Sequence, residues 1–360
     1  MSYEDYFYRK IEQKRKERNE STTETLRQLA HKREVQLDDF LADDNSREIN
    51  RDKHYLERAK LNFDEEKGYE AKALEYVFYF NVARGNWLSD TIGGQFTSEA
   101  IMPAEYDDIC NRIDIATTVH TKEGSRTFGV DVTTNPDRNV IRKKILYASN
   151  DPDFETPAAG FGQLKYYADN DGPQGRIAPI PRYCIGINKE SVNNILDSTT
   201  ASSKGLHFGK LHPIEQFKIL HEMAVQNELF ETPLYAKEDE GTLTEEEEKC
   251  LRYIETLDGI YLIERQRIVD ELKAQKSWAL EFGDDFDSIA KRLTTPSIDV
   301  EPDETFASIL AVTEELYQET SDSDDPDALK KSADRYKRRN TGIVHKELGN
   351  SSIDTAKKLA

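Results

Sequence analysis

Two short runs decide how this chain folds: Arg112-Ile113-Asp114-Ile115-Ala116-Thr117-Thr118-Val119 and Thr127-Phe128-Gly129-Val130-Asp131-Val132-Thr133-Thr134. Both are rich in Val, Ile and Thr, a strand composition, and each carries one Asp among apolar neighbours. Side chains alternate along a strand. Ile113, Ile115, Thr117 and Val119 therefore share one face, and Asp114 takes the other. Phe128, Val130 and Val132 share a face, opposite Gly129, Asp131 and Thr133. The intervening Thr121-Lys122-Glu123-Gly124-Ser125-Arg126 reads as a hairpin turn. A hairpin brings both carboxylates to one surface. Close carboxylates repel unless a proton or a cation lies between them, and hard oxygen ligands suit Mg²⁺ or Mn²⁺.

Upstream, Asp64 to Leu88 reads as a helix capped by Asp64 and favoured by Ala71, Ala73 and Leu74. At about 100° per residue, Ala73, Leu74, Val77, Asn81 and Leu88 gather on one face. Glu70 falls near its centre and Glu75 well off it. A carboxylate on an apolar face needs a partner, which makes Glu70 a candidate third acid. Equally, Glu70 suits the first turn, where the helix dipole favours it.

Downstream, Asp137 is placed to cap a helix over residues 138–148, with Val140, Ile141, Ile145 and Ala148 inside. Lys144 projects within that arc and Lys143 outside it. A Lys on the core side beside two Asp carboxylates is a paired charge. Gln163 to Tyr167 reads as part of a short helix and Gly172-Pro173-Gln174-Gly175 as a turn. Ile180 to Asn188 reads as a strand, Ser191 to Asp197 as a short helix, and Thr199 to Lys204 as a polar linker.

Four segments follow from these patterns: a charged helical arm (1–62), an α/β core (63–200), a helical extension (201–283) and an acidic tail (284–360). In the arm, Lys14-Arg15-Lys16 is either a solvated helix face or a phosphate contact, the former being the commoner use of such a cluster. In the extension, His212-Pro213 opens a helix, and Thr244 with Glu247 forms a capping box ahead of another. The tail is low in apolar residues, so it is expected to be mobile and dispensable for the core, with Thr305 to Glu319 as an isolated helical stretch. Asp107-Asp108 reads as a capped turn.

The 360 residues carry a net charge of −20, with 33% charged and 37% hydrophobic residues. That charge argues against general attraction to nucleic acid but leaves room for a locally basic cleft around Arg138, Arg142, Lys143, Lys144, Lys165, Arg176 and Arg182. Cys110, Cys184 and Cys250 lie far apart and are odd in number, which fits neither a disulfide framework nor a metal site. No apolar run is long enough to cross a membrane, and Met1-Ser2-Tyr3-Glu4-Asp5 does not read as a signal peptide. A reduced, cytoplasmic protein with no membrane partner is expected.

The order helix with Glu, strand with Asp, strand with Asp, helix, strand resembles the PD-(D/E)XK nuclease superfamily over residues 64–188. The Asp-Val-Thr variant followed by a Lys-Lys helix resembles a group of bacterial nuclease-like proteins. The resemblance implies a restriction-endonuclease-like mixed sheet flanked by helices, with helical N- and C-terminal additions. It makes Glu70, Asp114, Asp131 and Lys144 the catalytic residues. Asp114, Asp131 and the Val132 carbonyl would hold Mg²⁺ or Mn²⁺, which polarises a phosphate oxygen and acidifies a bound water. The departure is Thr133, which stands where the family has its lysine. Lys144 from the next helix is the replacement, with Lys143 and Lys165 as alternatives. The implied activity is metal-dependent phosphodiester hydrolysis of nucleic acid, DNA in particular, with Arg138 and Arg142 positioning the backbone. Two other readings stand beside it. One is a catalytically inactive nuclease fold that binds nucleic acid or protein, favoured by Thr133. The other is a scaffold whose helical additions bind a protein partner.

Overall fold

The computed structural model describes residues 3–31, 35–41, 46–61, 68–85, 87–88, 96–122, 124–147, 154–169, 172–202, 205–207, 209–277, 280, 285–295, 302–323, 325 and 327–331. The helices are α1 (Tyr3–His31), α2 (Ser46–Leu61), α3 (Tyr69–Gly85), α4 (Glu105–Asn111), α5 (Arg138–Ile145), α6 (Lys189–Ser198), α7 (Pro213–Glu240), α8 (Glu245–Ala274), α9 (Phe286–Thr294) and α10 (Glu304–Ser321). The strands are β1 (Phe96–Ile101), β2 (Ile115–Thr121), β3 (Gly124–Thr133), β4 (Phe161–Asp169), β5 (Gly172–Gly186), β6 (Thr200–Ser202) and β7 (Gly205–His207).

The architecture is α/β. A five-stranded mixed sheet runs in the order β1-β2-β3-β5-β4, flanked by helices, with β6 and β7 as a separate ladder. β1, β2 and β3 form an antiparallel meander, β5 lies parallel to β3, and β4 pairs antiparallel with β5. Parallel neighbours need a crossover, and the chain from β3 to β5 supplies it through α5 and β4. The β2–β3 register pairs Thr121 with Gly124 and Ile115 with Val130. One further step sets Asp114 opposite Asp131, as the alternation predicts.

One large core contains Ile115, Val119, Phe128, Val130, Val132, Tyr183 and Ile185 from the sheet together with buried residues of α3, α7, α8 and α10. A smaller cluster of Ile113, Ala116, Leu164, Tyr167 and Ile180 lies apart from it. A third, under α2 and α4, joins Ile49 and Leu56 to Tyr106 and Tyr166. Past the end of β4, the free edge of β5 is closed by α7. Gln226 accepts from the Cys184 N–H (2.9 Å) and donates to its carbonyl (2.7 Å), and Glu222 accepts from the Gly186 N–H (2.9 Å).

Several expectations hold. Asp137 caps α5 by accepting from the Asn139 and Val140 amides, and Thr244 and Glu247 form the capping box of α8. Asp107 and Asp108, read as a capped turn, lie instead in helix α4, and the Asp107 carboxylate accepts from the Lys165 and Tyr166 amides of β4. The expected cap Asp64 and residues 332–360 of the tail lie outside the described residues.

Others are corrected. Gln163 to Tyr167 belong to strand β4, and the expected turn at 172–175 belongs to β5. β4 is covered on both sides, with Leu164 and Tyr167 in one cluster and Tyr166 in another, so no clean alternation marks it as a strand. Thr200 to Ser202 pair with Gly205 to His207 rather than forming a linker. The acidic tail is no loose appendage over 286–321. Phe306, Ile309, Val312 and Leu316 of α10 are buried in the main core. Asp303 caps α10 and takes the buried Lys218 ammonium at 3.0 Å. The low overall hydropathy hid the packing of this helix, whose Phe306, Ile309, Val312 and Leu316 face inward while Tyr317 is exposed. Among the described residues no helix is long and apolar enough to cross a membrane.

Candidate active site

Asp114 stands where the chain enters β2. Arg112 ends α4 in the left-handed conformation (φ 54°). The Ile113 N–H then donates to the Asp107 carbonyl and the Asp114 N–H to the Val130 carbonyl (2.8 Å). Gly129 is needed opposite: a Cβ there would lie 2.9 Å from the Ile113 side chain and push the Asp114 segment off the sheet. Asp114 is 3% exposed, and its Oδ2 accepts the Val132 N–H at 2.7 Å. The carboxylate thereby takes the place of a missing ladder partner.

Asp131, 2% exposed, lies one residue before Val132 on β3. Its Oδ1 is bonded by the Lys144 ammonium, which also donates to the Val132 carbonyl at 3.1 Å. The N–H and C=O of one strand residue point to the same edge. Asp114 and Lys144 therefore meet at Val132. Lys144 is the lysine that the periodicity of α5 turned inward, and Lys143 is exposed as expected.

A second cation, Arg182, is fully buried behind Asp131. Its Nη1 lies 3.6 Å from Asp131 Oδ2. Its Nη2 caps the end of α5 by donating to the Lys144 and Tyr147 carbonyls (2.5 and 2.8 Å). Burial pulls the guanidinium below its usual pKa, opposed by the neighbouring Asp131. The Tyr147 ring lies between the Arg112 and Arg182 guanidinium groups, and its hydroxyl donates to the Cys110 carbonyl at 3.0 Å. One ring thus ties together the two segments that carry Asp114 and Lys144.

The sequence-predicted residues Asp114, Asp131, Val132 and Lys144 come together. The others do not join them. Glu70 is half-buried in the first turn of α3, against Tyr69 and Gly68, as the helix-dipole reading expects. Lys165 is turned away to Asp52 (2.6 Å) and Glu48 (3.1 Å) of α2, over the Tyr106 ring. Arg138 and Arg142 are engaged by Glu315 and Glu319 of α10. Thr133 is buried, and its hydroxyl accepts from the Asn135 N–H (3.1 Å).

Sequence reasoning missed Glu75 and read Arg182 as part of a basic cleft, whereas it is buried behind Asp131. Glu75 is 1% exposed, pairs with Lys72 at 3.0 Å, and lines the same cleft as Asp114. The available signal was not a helix face. It was an acid inside ten consecutive buried positions, Ala73 to Val82. For Arg182 the signal was an arginine inside the apolar strand Ile180 to Ile187.

The cleft over Asp114 measures about 650 Å³ and is walled by α1, α3 and α4. Its lining carries the carboxylates of Glu20, Glu24, Glu75, Glu105, Asp108 and Asp114 against only Arg27 and Lys72. A second cleft of about 370 Å³ lies on the other side of the first turn of α3, at Lys144. The oxygens of Asp114, Asp131 and Val132 are the donor chemistry of a hard cation. Asp131 Oδ2 is buried without a hydrogen bond, and the Lys144 ammonium bridges the Asp131 and Val132 oxygens as a cation would. Two carboxylates and one carbonyl would leave most positions around such a cation to water. Among the described residues no three Asp, Glu, His or Cys side chains lie close enough together to hold a metal ion. In formal charge the two carboxylates are balanced by Lys144 and Arg182. Searches against family models, curated proteins and solved structures found no match for this chain.

Proposed function

We propose that this chain hydrolyses phosphodiester bonds of nucleic acid, with DNA as the substrate, at a metal-dependent PD-(D/E)XK-like site formed by Asp114, Asp131, Val132 and Lys144. The observation that carries this reading is the bond from Lys144, on the helix after β3, to Asp131 and the Val132 carbonyl beside Asp114. It puts a cation where Thr133 cannot supply one. The run α3-β1-α4-β2-β3-α5-β4-β5, with β5 parallel to β3, supports a restriction-endonuclease-like core. Asp114, Asp131 and the Val132 carbonyl would hold the Mg²⁺ or Mn²⁺ ion, whose contribution is to polarise the phosphate and acidify water. Arg182 fixes the Asp131 carboxylate from behind. Lys144, once displaced from Asp131, offsets the negative charge that develops on the phosphate in the transition state. Cleavage of single- and double-stranded DNA and RNA in Mg²⁺ or Mn²⁺, abolished in Asp131→Asn, tests the reading.

A second reading, a nuclease-like fold that binds without cutting, has its own support. Among the described residues no third acid joins the pair, and the existing charges already balance. Nucleic acid bound but uncleaved in every metal would favour it.

A further inference from the structure

The two clefts beside the first turn of α3 differ in charge. The one over Asp114 is lined by six carboxylates and two cations. The smaller one is bounded by residues 132–136, Val140, Lys144, Lys189, Ala71 of α3 and Gly68 just before it, and no carboxylate lines it. Its polar groups are mainly donors. Asn135 accepts from the Asp137 N–H through Oδ1 (3.0 Å), which leaves its NH₂ as the donor end. Thr134 adds a hydroxyl and Lys189 an ammonium group, while the Lys144 ammonium is held by Asp131 and the Val132 carbonyl. At about 370 Å³ it falls within the size range of small-molecule sites, about 300–1,000 Å³.

Lys189 is the least expected of these residues. It is exposed and occupies the first position of α6. A cation there opposes the helix dipole, which favours anions at that end. Helix stability therefore does not account for it, whereas an anion in the adjoining cleft does.

We propose that this cleft binds a phosphate group of a nucleic-acid strand, with Lys189 as a phosphate-binding residue at its mouth. The proposal rests on the nucleolytic reading for the identity of the ligand. It divides the labour by charge: strand phosphate enters on the lysine side of α3 and cations on the carboxylate side.

The test is binding without metal, on the full chain. Inorganic phosphate, a 5′-phosphorylated single-stranded oligonucleotide and its unphosphorylated counterpart are titrated at several salt concentrations. The proteins are wild type, Lys189→Ala, Lys189→Arg and Lys143→Ala. Wild type should bind both oligonucleotides more tightly than inorganic phosphate. Lys189→Ala should weaken oligonucleotide binding about tenfold and reduce the salt slope by about one phosphate contact. Lys189→Arg should retain both, and Lys143→Ala should match wild type. A preference for inorganic phosphate would overturn the strand assignment. Absent binding in wild type, or an unchanged affinity and slope in Lys189→Ala, would overturn the site. Asp131-dependent cleavage that survives in a normally binding Lys189→Ala would refute the cleft and leave the nuclease standing. Lys189-dependent binding with no cleavage in any metal would do the reverse.

Discussion

Replacing Lys144 with Met removes the ammonium that bridges Asp131 and the Val132 carbonyl while keeping most of the side-chain volume. Breaking a buried ion pair by deleting one partner costs about 3–5 kcal/mol when the other charge is stranded. Here Asp131 is not stranded, because Arg182 lies 3.6 Å away, an attraction of about 4–5 kcal/mol at an effective dielectric near 20. Lys144 is also partly open to water, with 14% of its side chain exposed. The expected loss is therefore about 2 kcal/mol, or about 4 °C in Tm at about 2 °C per kcal/mol for a large chain. The sign should reverse on adding metal. In wild type the ammonium competes with Mg²⁺ or Mn²⁺ for the same oxygens. In Lys144→Met it does not, so metal at about 100 times Kd should return about 2.7 kcal/mol to the variant. Thermal unfolding of both proteins over a Mn²⁺ titration reads this directly. An equal metal shift in the two proteins, or no Tm loss in metal-free Lys144→Met, would refute the claim that Lys144 occupies the cation position.

Ending the chain at residue 301 should unfold the protein rather than trim it. Phe306, Ile309, Val312 and Leu316 are each at most 1% exposed, and burying each contributes about 1.5–3 kcal/mol, a sum comparable to the whole stability of a typical protein; a cooperative melt near the wild-type Tm would contradict this. Gly129→Val should displace the Asp114 segment through Ile113 and abolish metal-dependent shifts while the protein still melts cooperatively. Burial and the hydrogen-bonded neighbour Asp258 push Glu231 up to about 7. A raised carboxyl pKa favours the folded state only while the group is protonated, so this contribution falls as pH rises from about 4.5 to about 7; Glu231→Gln should flatten that part of the Tm–pH curve, and an unchanged slope would refute the assignment.

The grouping of Asp114, Asp131 and Lys144 was more legible in the sequence than the outline of the fold. Asp114, Asp131 and Lys144 follow from strand alternation and a helix arc, both local and periodic. Glu75 escaped the same logic because α3 is buried nearly all round, and a face argument has no content on a helix without an exposed face. β4 escaped because both of its sides are covered, and its Lys165 finds Asp52 of α2, a partner distant in sequence. α10 escaped because composition averages over a segment, whereas burial depends on where its few apolar residues point. Arg138 and Arg142, read as phosphate contacts, face Glu315 and Glu319 of that same helix, whose packing onto the core the sequence did not reveal.

The most direct measurement of the central claim is cleavage of DNA in Mg²⁺ and in Mn²⁺ by wild type, Asp131→Asn, Lys144→Ala and Lys143→Ala under single-turnover conditions. Loss of a preorganised charge at the reacting phosphate slows such steps by about 10²-fold or more. Wild type and Lys143→Ala should cut at similar rates, Lys144→Ala should fall by that factor, and Asp131→Asn should be inactive. Cleavage in which Lys144→Ala equals wild type would contradict the account.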